Sequence, residues 1–394
     1  MKKKQYIFFS AIIGLLLSSC ISEFTPVLSD EYAELLIIEG NIRSEDVSRF
    51  YVGETVGLET DTKLSAAKVD VTLTVIGENG YESEPAAYTK DGLYEVQTAL
   101  LDVNVGYAVR VKNKNQTYQS DFAKPLVTPP ITDFSFAQNE RWGDVSFRVS
   151  TSSDDSSEPY YSKWFYEEVW EEHASHPTSA FFDLATGEYY HAPGLQNFIC
   201  WKTKEQHENL ITTTETFQEN KLFNYNLFSI NPNDIRFAFH YKIILRQQRI
   251  SQETYIYYKN LNTTNEEMGG LFTPQPSEIK SNIRCVSDPS RKVIGNIAVA
   301  KNRTEYSLYI KPGDIIRDPD IEPCKLFSHG DLQKATGATN YKDFYHFGYR
   351  PVGRLEVNLY TGEVYIAISG WTYEECVDCV VNGGSLEKPA DWPN

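Results

Sequence analysis

The chain has 394 residues, 54 acidic against 37 basic side chains and a formal net charge of −17; 13% of it is aromatic, with 26 Tyr and 21 Phe against 2 Met. So acidic a balance argues against nucleic acid and anionic lipid headgroups as partners. The aromatic usage argues against a helical bundle and predicts a mainly β protein.

The chain opens on Lys2, Lys3 and Lys4, followed by an apolar run from Ile7 to Leu17 that is too short to span a bilayer, and then on Leu17-Ser18-Ser19-Cys20. Small residues before a cysteine suit cleavage, and the new terminal thiol suits transfer of a diacylglyceryl group. Residues 1–19 therefore read as a signal peptide and Cys20 as the lipidation site, with palmitate-type acyl chains. Each buried CH₂ contributes roughly 0.8 kcal/mol, so more than one chain anchors the protein permanently. Loss of the three lysines takes the formal charge to about −20, and 394 residues less 19 leave 375, enough for two or three domains. Residues 20–32, with Pro26 and little periodicity, read as a tether.

Residues 33–128 read as a β-sandwich of immunoglobulin or transthyretin type. Val69, Val71, Leu73 and Val75 alternate with polar residues, as do Tyr107, Val109 and Val111. Asn79-Gly80, Asp91-Gly92 and Asn113 to Asn115 supply turns between the strands. Pro125, Pro129 and Pro130 mark a boundary, after which residues 131–394 read as a larger β-rich domain with one or two short helices. Strands are expected at Val145 to Val149, Tyr160 to Tyr166, Phe237 to Leu245, Val293 to Ala300, Tyr306 to Ile310, Leu355 to Leu359 and Val364 to Ile368. Ser251 reads as the N-cap of a helix, with Glu253 in its first turn, Tyr255, Tyr258 and Leu261 on a core-facing stripe, and Gly269-Gly270 as its stop.

Five further cysteines, Cys200, Cys285, Cys324, Cys376 and Cys379, are disulfide candidates in an exported chain, and an odd number leaves one thiol over. We expect at least one bridge from the Cys376 to Cys379 segment to the domain body, with Cys324 or Cys285 as partner. Ordering that Gly-rich tail needs an offset, and a bridge stabilises by roughly 2–4 kcal/mol. The Cys376-Val377-Asp378-Cys379 spacing also fits redox or zinc chemistry, but no βαβ setting accompanies it. Glu167, Glu168, Glu171, Glu172, His173 and His176 crowd one segment, and Asp154 with Asp155 and Asp318 with Asp320 offer oxygen ligands. A solvated acidic face explains the first cluster better than a metal does, and neither aspartate pair has the spacing of a calcium loop. No metal site and no cofactor are therefore expected. A Gly-x-Ser-x-Gly elbow, a His-Glu-x-x-His pair and a phosphate loop are absent from the sequence, so no catalytic residues are assigned and a non-enzymatic role is expected.

A set of local patterns then points to a family. They are Ile38-Glu39-Gly40, Asp91-Gly92-Leu93-Tyr94, Tyr118-Gln119-Ser120, Tyr161 to Glu168, Cys200-Trp201, Gly269-Gly270-Leu271-Phe272 with Gln275-Pro276, Asn282-Ile283-Arg284-Cys285, and the tail from Cys376 through Gly383-Gly384 and Lys388-Pro389 to Trp392. In these the chain resembles the Bacteroidota lipoproteins defined by domain of unknown function 4249, over nearly all of the mature protein. It departs at Lys280-Ser281, Asn296 and Ala390, none of which disturbs a motif. The resemblance implies an exported outer-membrane lipoprotein, often encoded beside a TonB-dependent transporter, and carries over no catalytic residues. Glu23, just after Cys20, resembles in addition a signal for the cell surface. The expectation is a lipid-anchored protein of the outer membrane, facing outward, that serves as an accessory binding protein of an outer-membrane β-barrel such as a TonB-dependent transporter. The alternatives are an assembly subunit of an outer-membrane complex and a hydrolase with unidentified carboxylates.

Overall fold

A computed structural model describes residues 35–55, 68–152, 158–206, 208–217, 219–267, 280–318 and 324–393. The signal, Cys20, Glu23, the tether, Asp154, Asp155, Asp320 and the Gly269 to Pro276 patterns lie outside the described residues.

The architecture is mainly β, with three α-helices at Gln252–Glu267, His329–Thr336 and Tyr341–His346 among the described residues, one more than expected. Two sheets form the N-terminal sandwich. One is built on the Leu36–Arg43, Val47–Glu54 and Leu93–Gln97 strands, the other on Thr72–Gly77, Tyr107–Asn113 and Gln116–Ser120. Alternation decides which side chains meet between them: Ile38, Phe50 and Tyr94 from one sheet pack on Leu73, Val109 and Tyr118 from the other. At the Asp91-Gly92 turn both residues have positive φ, 50° and 79°, the geometry that a two-residue hairpin needs to match strand twist.

The proline boundary does not end the sandwich. Ile283–Cys285 pairs antiparallel with Gln116–Ser120, while Val293–Ile294 and Ile297–Ala300 pair parallel with Leu36–Arg43. The division at residues 128 and 131 is therefore corrected: a later segment completes both sheets, and Ile283, Val293, Ile297 and Val299 belong to the sandwich core. Even the proline-bearing linker is fastened to this segment, since the Leu126 N–H donates to Val299 O and the Lys301 N–H to Leu126 O. The expected single strand from Val293 to Ala300 breaks at Gly295, whose φ of 141° and approach to Ile38 O, where a Cβ would lie 1.8 Å away, admit only glycine.

The second region centres on the Tyr161–His173 strand, which pairs with Ile199–Glu205, Leu210–Thr213 and Tyr241–Ile250, the last continuing to Thr304–Ile310. Its inward face packs Trp164, Tyr166 and Trp170 against Val145, Phe147 and Val149 of a smaller sheet. The strand expected from Phe237 begins instead at Tyr241, because Ile235–Phe237 forms a 3₁₀ turn capped by the Asp234 carboxylate. Helix Gln252–Glu267 lies across the long strand; Ser251 Oγ accepts the Thr254 N–H at 3.2 Å, as its N-cap role requires. Tyr255 packs on Tyr161 with ring centroids 5.0 Å apart, and Tyr258 is buried, so the tyrosine stripe is core. Beside it Tyr257 donates to Glu39 at 2.6 Å, joining this helix to the sandwich.

Candidate functional site

The remaining region, residues 324–393, projects a hairpin of Tyr349–Val357 and Val364–Tyr373 from a small aromatic core. Trp371 is the centre of that core. It stacks on Tyr341 at 5.7 Å and 9° and meets Phe344 edge-on at 5.7 Å, an arrangement aromatic quadrupoles favour. The short helix that carries Tyr341 and Phe344 and the one before it are set by local capping: Ser328 and Asp331 form a capping box, and Asn340 Oδ1 accepts the Asp343 N–H. A bulge between Val352 and Gly353 turns the hairpin, and there Gly353 both donates its N–H to Thr178 Oγ1 at 3.1 Å and accepts from the Ser179 N–H at 2.9 Å. A Cβ on Gly353 would lie 2.6 Å from Ala367 O, so only glycine allows that approach. Arg350 fixes the base from the other side, 2.8 Å from Glu374 and 3.6 Å above the Tyr345 ring. A cleft of about 180 Å³ lies beside these groups, walled by Phe181, Phe182, Tyr190 and Tyr345.

One disulfide closes this region on itself and a second holds it to the second sheet. Cys324 bonds Cys376, and Cys200 bonds Cys379. The Cys376 to Cys379 pair is thus split between two bridges, which leaves neither sulfur for zinc or exchange within the motif. Cys285 remains a thiol: it is buried in the sandwich on the Ile283–Cys285 strand, with Gln116 Oε1 3.2 Å from its sulfur, so as a disulfide candidate it is corrected. The tail follows the bridges: Ser385 exchanges two backbone hydrogen bonds with Trp201, and Trp392 Nε1–H donates to Glu171 at 3.2 Å.

The hairpin tip is different in kind from its base. Leu359 is 94% and Tyr360 99% exposed, flanked by exposed Leu355, Val357, Val364 and Tyr365. The chain bends there because Asn358 Oδ1 accepts the Tyr360 N–H at 2.9 Å and Gly362 takes a φ of 72°. Apolar side chains occupy turn positions that polar residues normally fill. The expected strands at Leu355 to Leu359 and Val364 to Ile368 located the hairpin but not its tip; the readable sign was Leu359-Tyr360 standing between Asn358 and Thr361-Gly362.

The acidic segment resolves into two faces of one strand. Glu168 points inward, 2.7 Å from the Tyr241 hydroxyl and ion-paired to Arg236 at 2.5 Å, while Glu172 takes Lys202 at 2.8 Å. Glu171 points outward to His173 at 2.6 Å and His240 at 3.2 Å. Burial pushes the Glu171 carboxyl up, but hydrogen bonds from His173, Trp392 and His240 outweigh it and hold the group below its ordinary range. His176 is spent on the cystine, with its ring 3.2 Å from Cys324 O. Among the described residues no three His, Cys, Asp or Glu side chains are arranged so that they could hold a metal ion, and Asp318 is held by its N–H donating to Asn233 Oδ1 at 2.8 Å.

No helix among the described residues is long and apolar enough to cross a membrane. Among solved structures, trypsin-activated alpha-2-macroglobulin from Escherichia coli aligns with 11% identity over 59% of this chain and 15% of its own, with a TM-score of 0.17. Salmonella alpha-2-macroglobulin reacted with methylamine aligns with 10% identity over 88% of this chain and 17% of its own, again with a TM-score of 0.17. The chain thus spans less than a quarter of those proteins, and likeness this slight carries no argument. No curated protein matches the chain. The family model described as Domain of unknown function (DUF4249) matches residues 21–306, well over half of the chain. The chain belongs to the DUF4249 family.

Proposed function

We propose that the protein is a lipoprotein anchored through Cys20 in the outer membrane, outward-facing, and that it serves as an accessory binding subunit of an outer-membrane β-barrel such as a TonB-dependent transporter. One observation carries this reading: an apolar hairpin tip, led by Leu359 and Tyr360, stands free in solvent on a base made rigid by Trp371, Gly353 and Arg350. A soluble protein seldom displays contiguous apolar side chains without a surface to cover them, and burying a Leu and a Tyr contributes several kcal/mol to an interface. A lipid on Cys20 confines the protein to the membrane plane, so a membrane-embedded partner meets it at high effective concentration and a small interface stays occupied. An integral barrel is therefore the occupant to which the reading commits.

The test places a photo-crosslinking residue at position 360 in the native host. The expected product joins the protein to an integral outer-membrane barrel and disappears when Leu359 is changed to Ser. Crosslinks to lipid alone, or to no protein under conditions where Cys20 is acylated, would overturn the reading. Acylation is checked separately, since Cys20→Ala should abolish incorporation of a labelled fatty acid.

A further inference from the structure

A second cleft, of about 390 Å³, opens where the Leu36–Arg43 and Val47–Glu54 hairpin meets the outward face of the second sheet, and its walls carry four arginines and four carboxylates. Most of these charges neutralise one another. Arg43 lies 2.7 Å from Asp46, Arg246 lies 2.7 Å from Glu305 and 3.3 Å from Glu167, and Arg49 turns to Glu95 at 2.6 Å. Two charges are left over. Among the described residues, neither Arg303 nor Glu205 has an ion-pair partner, and they do not pair with each other.

Arg303 sits where an internal partner was to be expected, whereas Glu205 stands at the exposed rim of the cleft. The Arg303 guanidinium lies 4.6 Å above the Phe165 ring and donates only its Nε–H, to Gln248 Oε1 at 3.2 Å, so its two terminal nitrogens make no hydrogen bond to any described residue. Behind it Arg43 is only 6% exposed, and its buried Nε also lacks a partner. Burial pushes the Arg303 guanidinium down to about 9; Arg43 adds repulsion that Asp46 offsets in part, and Arg49 and Arg246 add more. A cation held in this way gains from an incoming anion. Glu205 stands directly opposite Glu167 on the neighbouring strand, a like-charge pairing that disfavours the empty sheet and favours a cation beside it.

We propose that this cleft binds a small zwitterion, an amino acid or short peptide, with its carboxylate on the terminal nitrogens of Arg303 beside Arg43 and its ammonium on Glu205. The guanidinium fork matches a carboxylate in two parallel hydrogen bonds. A dianion such as phosphate would face the carboxylate wall, and a simple cation would face the arginines; only a ligand with both signs meets both leftover charges. The cleft lies between the Leu36–Arg43 and Val47–Glu54 strands and the outward face of the second sheet, and is independent of the C-terminal hairpin and of any barrel partner.

The experiment uses the full chain in mild detergent and titrates it calorimetrically with diglycine and with the common free amino acids. The best binder is then repeated in its N-acetylated form and compared with inorganic phosphate. At least one zwitterion should bind, N-acetylation and Glu205→Gln should each weaken it by about tenfold or more, and Arg303→Gln should abolish it. Glu205 is exposed, so an unchanged melting temperature in Glu205→Gln shows that lost binding is not lost folding. Absence of binding across the whole panel at millimolar concentration would overturn the proposal. Phosphate or the acetylated compound binding as tightly as the zwitterion would overturn it as well, leaving a site for anions alone.

Discussion

The N-terminal sandwich and the C-terminal region solve the same problem by opposite means. The sandwich core contains twenty buried residues among those described, drawn from two sheets, and has no covalent cross-link; its one cysteine, Cys285, stays a buried thiol. The C-terminal core contains five, gathered around Trp371, and two disulfides brace that region, one within it and one to the second sheet. A small core leaves little apolar burial to set against chain entropy, and cross-links that restrict the unfolded chain make up the difference. The contrast teaches where the protein needs oxidation: for the platform that carries the hairpin, and not for the body.

The sharpest way to break the contrast is Trp371→Ala. It removes the centre of a five-residue core and should destabilise the C-terminal region by about 3–5 kcal/mol, read as early proteolysis of residues 324–393 while the sandwich stays protected. Replacing Cys324 and Cys376 together by Ser should cost that region about 2–4 kcal/mol in denaturant, and reducing agent should change the variant less than it changes the natural protein. If reductant destabilised the sandwich equally, the contrast would fail.

A third measurement asks what the body tolerates inside. Burial pushes the Lys163 ammonium down to about 8 from its ordinary 10.5; Glu39 opposes that shift and Arg303 adds to it. Its Nζ lies 3.5 Å over the Tyr258 ring and donates to Asn209 at 3.0 Å. Between pH 8 and 10.5 the unfolded chain holds more protons at this group than the folded chain, so stability rises with pH through that window, and the penalty is fully present below it. Relative to Lys163→Met, the natural protein should gain about 3 kcal/mol from pH 7.5 to above pH 10.5, measured as a difference of denaturation midpoints. Parallel curves for the two proteins would refute it.

Smaller effects complete the comparison. Cys285→Ser should cost the sandwich only about 1 kcal/mol, since Gln116 and Ser287 already offer polar partners, whereas losing a structural cystine costs more. Replacing Leu359 and Tyr360 together by Ser should leave stability within about 0.5 kcal/mol, because neither is packed, while removing the partner crosslink.

Local pattern made the strands of the sandwich legible: Leu73 and Val75, or Val145, Phe147 and Val149, show their buried face by alternation alone. Alternation says nothing about which strands pair over long distances, so the return of the Ile283–Cys285 and Val293 to Ala300 strands to the two sheets of the sandwich went unread. The 3₁₀ turn at Ile235–Phe237 hid behind apolar residues that suit a strand equally well. Cysteine number told that one thiol is left over, but only space shows that Cys285 is that one and that Cys379 reaches Cys200. The leftover pair Arg303 and Glu205 was invisible for the same reason, being defined by neighbours that other strands supply.

The parallel pairing of Leu36–Arg43 with Val293–Ala300 bears on how the protein is made. A chain that emerges amino end first presents the first strands of the sandwich long before the segment that closes them. Until residue 300 has emerged, Leu36–Arg43 offers an open, apolar edge able to pair with any extended chain nearby. Release of the nascent chain before that point should therefore yield a fragment with an exposed strand edge, prone to aggregate, rather than a smaller folded protein.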